Sequence, residues 1–209
     1  MQSRDGTLAS GSPVAVASGA DMRWCVDTLG IPVELAAASS PVAVADLTPG
    51  ERARLPAVGN LRRDDWLRGR AALKLLLGPA ADTSTMAFPN RCLSLTHSAG
   101  LAVAARCDDQ GGQVGLGVDF EDRRTVDPRA ARFYLRDHET GDLLRLWTVK
   151  EALFKATPDN DDDTLLDYEV ADPGALAGTA TGRAGRRFRY ASAPLRQGWL
   201  TIVVGDAAV

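Results

Sequence analysis

Two carboxylates in the stretch GVDFED, Asp119 and Glu121, stand two residues apart. On a strand that spacing projects both from one face, with Val118 and Phe120 on the other. Paired carboxylates repel unless a cation lies between them. A hard divalent ion such as Mg²⁺, which takes oxygen ligands from a few carboxylates, phosphates and waters, is the natural neutraliser. An alternating acidic pair is by itself the ordinary face of a solvated strand, so it needs a second element. LWTVKEALFKA supplies one. On a helix Trp147, Glu151 and Lys155 are successive i,i+4 neighbours, so a carboxylate and an ammonium share a face. The plain alternative is a helix salt bridge beside an aromatic core contact. Lysine usage argues for more: of 24 basic residues only Lys74, Lys150 and Lys155 are lysines. A chain that otherwise writes arginine is expected to keep lysine where a point charge meets phosphate or a proton moves. Lys150 lies about 100° round the helix from Glu151 and is given a supporting role at most.

LSLTHSAG places Thr96, His97 and Ser98 at a strand end, in a tight polar turn. A hydroxyl–histidine–hydroxyl run there can hold an anion through side chains and backbone N–H groups, although a single turn histidine is ordinarily structural or solvent-facing. His138, in RDHETGD, reads as solvated. Arg54, Arg63 and Arg70 are candidates for a phosphate dianion, which suits the guanidinium fork. Exposed helix arginines are their plain alternative.

Helices and strands must bring these groups together. With 209 residues, 45% of them hydrophobic, 24% charged and a net charge of −3, the chain reads as a soluble globular protein able to bury a core. The charge gives no whole-molecule argument for nucleic acid. No apolar run approaches the roughly 18 residues of a membrane span. Cys25, Cys92 and Cys107 lack CxxC spacing and suggest neither a disulfide framework nor a zinc site, which fits a reducing cytoplasm. Residues 1–22 read as a loose tail, too weakly apolar for a signal-peptide core.

DLTPGERARL predicts a turn and a short helix, and RRDDWLRGRAALKLLLG a longer one stopped by Gly78-Pro79. CLSLTHSAGLAVAARCDD predicts two strands around Ser98-Ala99-Gly100, and GQVGLGVDFED a third. DPRAARFYL opens with Asp127 as a cap and Pro128 at the first helical position. GDLLRLWTVKEALFKA predicts a helix ended by Thr157-Pro158, and RRFRYASA and GWLTIVVGD read as strands. The segments starting at Trp66 and Trp147 carry Trp, Ala and Lys at identical offsets, each with a strand pair after it. An α+β duplication with a ligand cleft between its halves is therefore favoured. The acidic run in TPDNDDDTLLDY imitates a calcium loop, but Thr164 stands where glycine is required and Val170 where the bidentate carboxylate belongs, so an EF-hand is rejected.

LSLTHS, GVDFE and LWTVKEALFK, in that order and at these separations, resemble the three motifs of the 4′-phosphopantetheinyl transferases, specifically the larger Sfp type. LTPGERAR and RGRAALKLLL are similar to that family's N-terminal lobe, so the likeness runs from about Leu47 to Ala156. The resemblance implies two α+β lobes related by pseudo-twofold symmetry, with the active site between them. Here these would be residues 23–115 and 116–209 after the tail of residues 1–22. It implies transfer of the phosphopantetheine arm of coenzyme A to a serine of an acyl or peptidyl carrier protein, releasing 3′,5′-ADP, by a cytoplasmic monomer. Asp119, Glu121 and Glu151 match the family's Mg²⁺ carboxylates, with Mn²⁺ as a substitute. Lys155 matches the lysine that contacts the phosphates and protonates the leaving group, and His97 the 3′-phosphate contact, with Thr96 and Ser98 beside it. Glu151 or a metal-bound water takes the serine proton. Two alternatives stay open: an inactive CoA-binding relative, and an unrelated Mg²⁺-dependent phosphotransfer enzyme, for which no P-loop or GxGxxG is present. The chain departs from the family after the last motif, where the acidic run replaces a Gly-rich turn.

Overall fold

The structure is a computed structural model and describes residues 20–108, 115–122 and 125–206. The expected tail falls mostly on residues 1–19, outside the described residues. The first helix, α1 (Ala20–Leu29), already begins at Ala20. Met22, Cys25 and Leu29 recur on one face of it and are buried, with exposures of 4%, 0% and 1%. α1 and the strand after it, β1 (Val33–Ala38), had no sequence signal strong enough to be read in advance.

Thr48 caps α2 (Pro49–Arg54) in a reciprocal box with Glu51, and Pro49 supplies the fixed φ of a first helical turn. α3 (Arg63–Leu77) follows, and Gly78, at φ +98°, turns the chain out of it as the sequence predicts. β2 (Leu93–Ser98) and β3 (Leu101–Cys107) form a hairpin whose two loop residues, Ala99 and Gly100, both have positive φ. That is the turn whose twist matches paired strands. β4 (Leu116–Asp122) comes next, then a 3₁₀ turn (Pro128–Phe133) capped by Asp127, then α4 (Leu143–Lys155) capped by Asp142. The chain ends in β5 (Glu169–Val170), β6 (Ala177–Thr181), β7 (Arg187–Leu195) and β8 (Gly198–Gly205). The two-residue β5 and β6, which is rich in small residues, are additions to the predicted strand set.

The fold is mixed α and β, with two antiparallel sheets. One has the strand order β1-β3-β2, the other β4-β8-β7-β6-β5. α3 packs on the first sheet and α4 on the second. The largest apolar cluster joins α1 to inward residues of both sheets: Val103 and Ala105 of β3, Val118 and Phe120 of β4, Ile202 of β8. Each side chain of Val or Ile size buried there contributes about 1.5–3 kcal/mol.

The opposite face of β4 carries Gly117, Asp119 and Glu121. Two glycines let α4 lie against it at backbone contact. A Cβ at Gly115 would stand 1.9 Å from the Ala156 carbonyl oxygen, and one at Gly117 1.8 Å from that of Ala152. Further along β4 the glycines give way to carboxylates, and the same helix meets them with side chains. β2 and β4 are edge strands of different sheets and lie side by side. The seam between them positions the candidate site.

Candidate functional site

A pocket of about 330 Å³ opens where β2, β4 and α4 meet, lined by Thr96, His97, Asp119, Glu121, Glu151 and Lys155, with Leu95 and Trp147. The helix spacing read from the sequence is realised, since Trp147, Glu151 and Lys155 all reach this one pocket. Asp119 and Glu121 arrive from β4 as the strand period requires. Thr96 and His97 come from the end of β2.

Asp119 is buried at 4% exposure. Its Oδ1 accepts from the Lys155 ammonium at 2.6 Å and from the Thr96 hydroxyl at 3.0 Å. Its Oδ2 is buried with no hydrogen-bond partner. An unmatched carboxylate oxygen beside a polar pocket is where a hard cation fits, because burying it bare costs free energy. Glu121 accepts from the Ser98 hydroxyl at 2.9 Å. Among the described residues, no group of three or more His, Cys, Asp or Glu side chains is arranged to hold a metal ion. The His97 side chain is half exposed, its Nε2 4.0 Å from a carboxylate oxygen of Asp65 on α3. His138 is also largely exposed, 3.4 Å from Glu169.

All three lysines are paired with carboxylates, and only Lys155 lines the pocket. Lys74 donates to Glu51 at 3.0 Å and to the carbonyls of Pro79 and Ala81. Lys150 is fully buried; it donates to both oxygens of Glu139, at 2.8 and 2.6 Å, and to the Tyr168 carbonyl. Burial pushes the Lys150 ammonium below its ordinary pKa range, with the Glu139 carboxylate opposing. The lysine economy thus has a structural cause at two of the three positions. A compact ammonium with three rotatable donors can meet a carboxylate and backbone carbonyls in one small cavity, which a planar guanidinium cannot.

The arginine candidates do not line this pocket. Arg70 is 8% exposed and turns inward, donating to the Thr83 carbonyl at 2.8 Å and hydroxyl at 3.0 Å. Its guanidinium also lies 5.1 Å over the Trp66 ring. Arg54 and Arg63 are exposed, on α2 and at the start of α3. Thr96 and Ser98 spend their hydroxyls on β4, a use that the strand-end reading did not anticipate.

A second depression of about 230 Å³ shares Leu95, Glu151 and Lys155 with the first and is otherwise walled by Phe88, Pro89, Phe154 and Ser94. Phe88 and Pro89 lie outside the motifs read from the sequence, whereas Phe154 falls within LWTVKEALFKA. The loop after α4 is tied back by Asn160, whose amide donates to the Phe154 carbonyl at 2.7 Å. Asp163 there accepts from the Tyr168 hydroxyl at 2.8 Å. No protein-family model matches the chain, and no curated protein matches it either.

Proposed function

We propose that the protein transfers the phosphopantetheine arm of coenzyme A to a serine of an apo acyl or peptidyl carrier protein, releasing 3′,5′-ADP. The observation that carries this is the convergence of three separate sequence motifs on one pocket: Thr96 and His97 from the first, Asp119 and Glu121 from the second, Glu151 and Lys155 from the third. Motifs that met by chance would have no reason to share a wall.

Asp119, Glu121 and Glu151 would hold Mg²⁺, or Mn²⁺ in its place. The unpartnered Asp119 Oδ2 and the all-oxygen donor set fit such an ion, which takes oxygen ligands from carboxylates, substrate phosphates and water. When bound, it supplies charge neutralisation to the pyrophosphate and its developing leaving group. Lys155, held on Asp119 and 28% exposed, presents its ammonium to the same space, where it neutralises phosphate charge and can give a proton to the departing 3′,5′-ADP. His97, half exposed, would donate to the 3′-phosphate. Glu151 or a water at the site would accept the serine proton.

Two lobes, residues 23–115 and 116–209, belong to the same proposal, as do a cytoplasmic monomer and a pseudo-twofold relation. Support comes from α3 over the first sheet and α4 over the second, each with its last lysine closed on a carboxylate. The test is intact-mass analysis of several apo carrier proteins incubated with CoA and Mg²⁺. A gain of one phosphopantetheine on at least one carrier is expected, and unchanged masses throughout would overturn the proposal.

A further inference from the structure

Three hydroxyls at alternate positions of β2 meet three N–H groups at alternate positions of β4. Val118 donates to Ser94 Oγ at 2.9 Å, Phe120 to Thr96 Oγ1 at 3.2 Å and Asp122 to Ser98 Oγ at 3.3 Å. The two edge strands are therefore joined by side chains in place of a backbone ladder. An N–H can only donate, so the direction of each bond is fixed and each hydroxyl must send its own proton elsewhere. At Thr96 that proton goes to Asp119 Oδ1, 3.0 Å away, and at Ser98 to Glu121 Oε2, 2.9 Å away. Ser94 stands at the step where β4 carries Gly117, which has no side chain to receive it. The two hydroxyls that face β4 carboxylates are thus one repeated device: backbone N–H to hydroxyl, hydroxyl to carboxylate.

The consequence is clearest at Asp119. Thr96 and Lys155 both donate to Oδ1, while Oδ2 is buried and unpartnered. A carboxylate pinned through one oxygen has its other oxygen set in direction before any cation arrives. We propose that Thr96 and Ser98 are positioning residues that act through Asp119 and Glu121 to orient them toward a divalent cation, and are not contacts for an anionic phosphate. The proposal rests on the reading of these carboxylates as cation ligands. Partners that orient metal ligands ordinarily change affinity by about 10–100-fold when removed.

The test is Mn²⁺ affinity, measured by the electron paramagnetic resonance of free Mn²⁺ on the full chain with CoA present and no carrier. Thr96→Val keeps the shape and removes the hydroxyl, and should weaken Mn²⁺ binding by about tenfold or more. Thr96→Ser, which restores the hydroxyl, should recover most of the loss. CoA affinity measured in EDTA should be the same in wild type and Thr96→Val. Ser98→Ala, at a half-buried position, should weaken Mn²⁺ similarly and decides the matter if Thr96→Val does not fold. Unchanged Mn²⁺ affinity in a folded hydroxyl-deleted variant, no recovery by Thr96→Ser, or an equal loss of metal-free CoA binding would overturn the proposal. If the wild type itself binds no Mn²⁺ with CoA, the metal reading fails, and this proposal with it.

Discussion

Replacing Lys150 by methionine would remove the ammonium from a fully buried pair with Glu139. Its ammonium meets both oxygens of Glu139, at 2.8 and 2.6 Å, and both side chains are fully screened from solvent. Glu139 also accepts the backbone N–H groups of Val170, at 2.7 Å, and Arg136, at 2.8 Å, so it cannot swing out to water without orphaning them. Breaking a buried ion pair by deleting one partner costs about 3–5 kcal/mol, because a charge is left uncompensated. With a urea m-value of about 2 kcal/mol/M, the unfolding midpoint should fall by roughly 1.5–2.5 M. Lys150→Arg should also destabilise, by about 1–3 kcal/mol, because a larger planar group must enter a filled site. Equilibrium urea unfolding followed by circular dichroism reads both variants. A Lys150→Met midpoint within about 0.5 M of wild type, at unchanged m-value, would refute the buried-pair reasoning and return Lys150 to a minor role.

Lys155→Arg should fold normally yet lose most transferase turnover, because a guanidinium cannot occupy the point position on Asp119 and is a far poorer proton donor; steady-state kinetics with near-normal turnover would mean that only charge matters there. His97→Ala should weaken CoA roughly tenfold to a hundredfold, the worth of a charge-assisted hydrogen bond of about 1.5–3 kcal/mol. Dephospho-CoA should be nearly unaffected in a calorimetric titration of that variant. Glu51 gives a pH test. Burial raises its carboxyl pKa, but hydrogen bonds from Thr83, Thr48 and Lys74 outweigh this and hold it below the ordinary range. A depressed folded pKa means the unfolded chain takes up the proton first, so this stability is present above the ordinary glutamate pKa of 4.5 and is lost as pH falls through the folded value. Glu51→Gln should therefore be less stable than wild type at neutral pH, with the gap closing in acid; a gap that stays constant with pH would contradict this.

The strand period of GVDFED and the helix period of LWTVKEALFKA suffice to place five of the pocket side chains, because each period fixes a face irrespective of tertiary contacts. Gly115 and Gly117 carry no periodic signal, although they decide how near α4 can come to β4. Lysine scarcity was a real signal with a mixed cause. Which of Lys74, Lys150 and Lys155 faces a pocket depends on where Glu51 and Glu139 lie, and both come from other segments of the chain. The inward turn of Arg70 was illegible for the same reason: its partner, Thr83, lies in a loop whose path no periodicity reveals. The alternation Ser94, Thr96, Ser98 was visible in LSLTHS. Its meaning was not, because two edge strands joined by side chains leave no mark on either strand alone.

The central claim is that Asp119, Glu121, Glu151 and Lys155 act as one site for phosphopantetheine transfer. The most direct measurement quantifies 3′,5′-ADP and modified carrier together, by liquid chromatography and mass spectrometry, from one incubation with CoA, Mg²⁺ and an apo carrier protein. Wild type should yield the two products in equal amounts, and Asp119→Ala and Glu151→Ala, folded by circular dichroism, should yield neither. Unmodified carrier with every substrate tried, or wild-type yields from either variant, would contradict it.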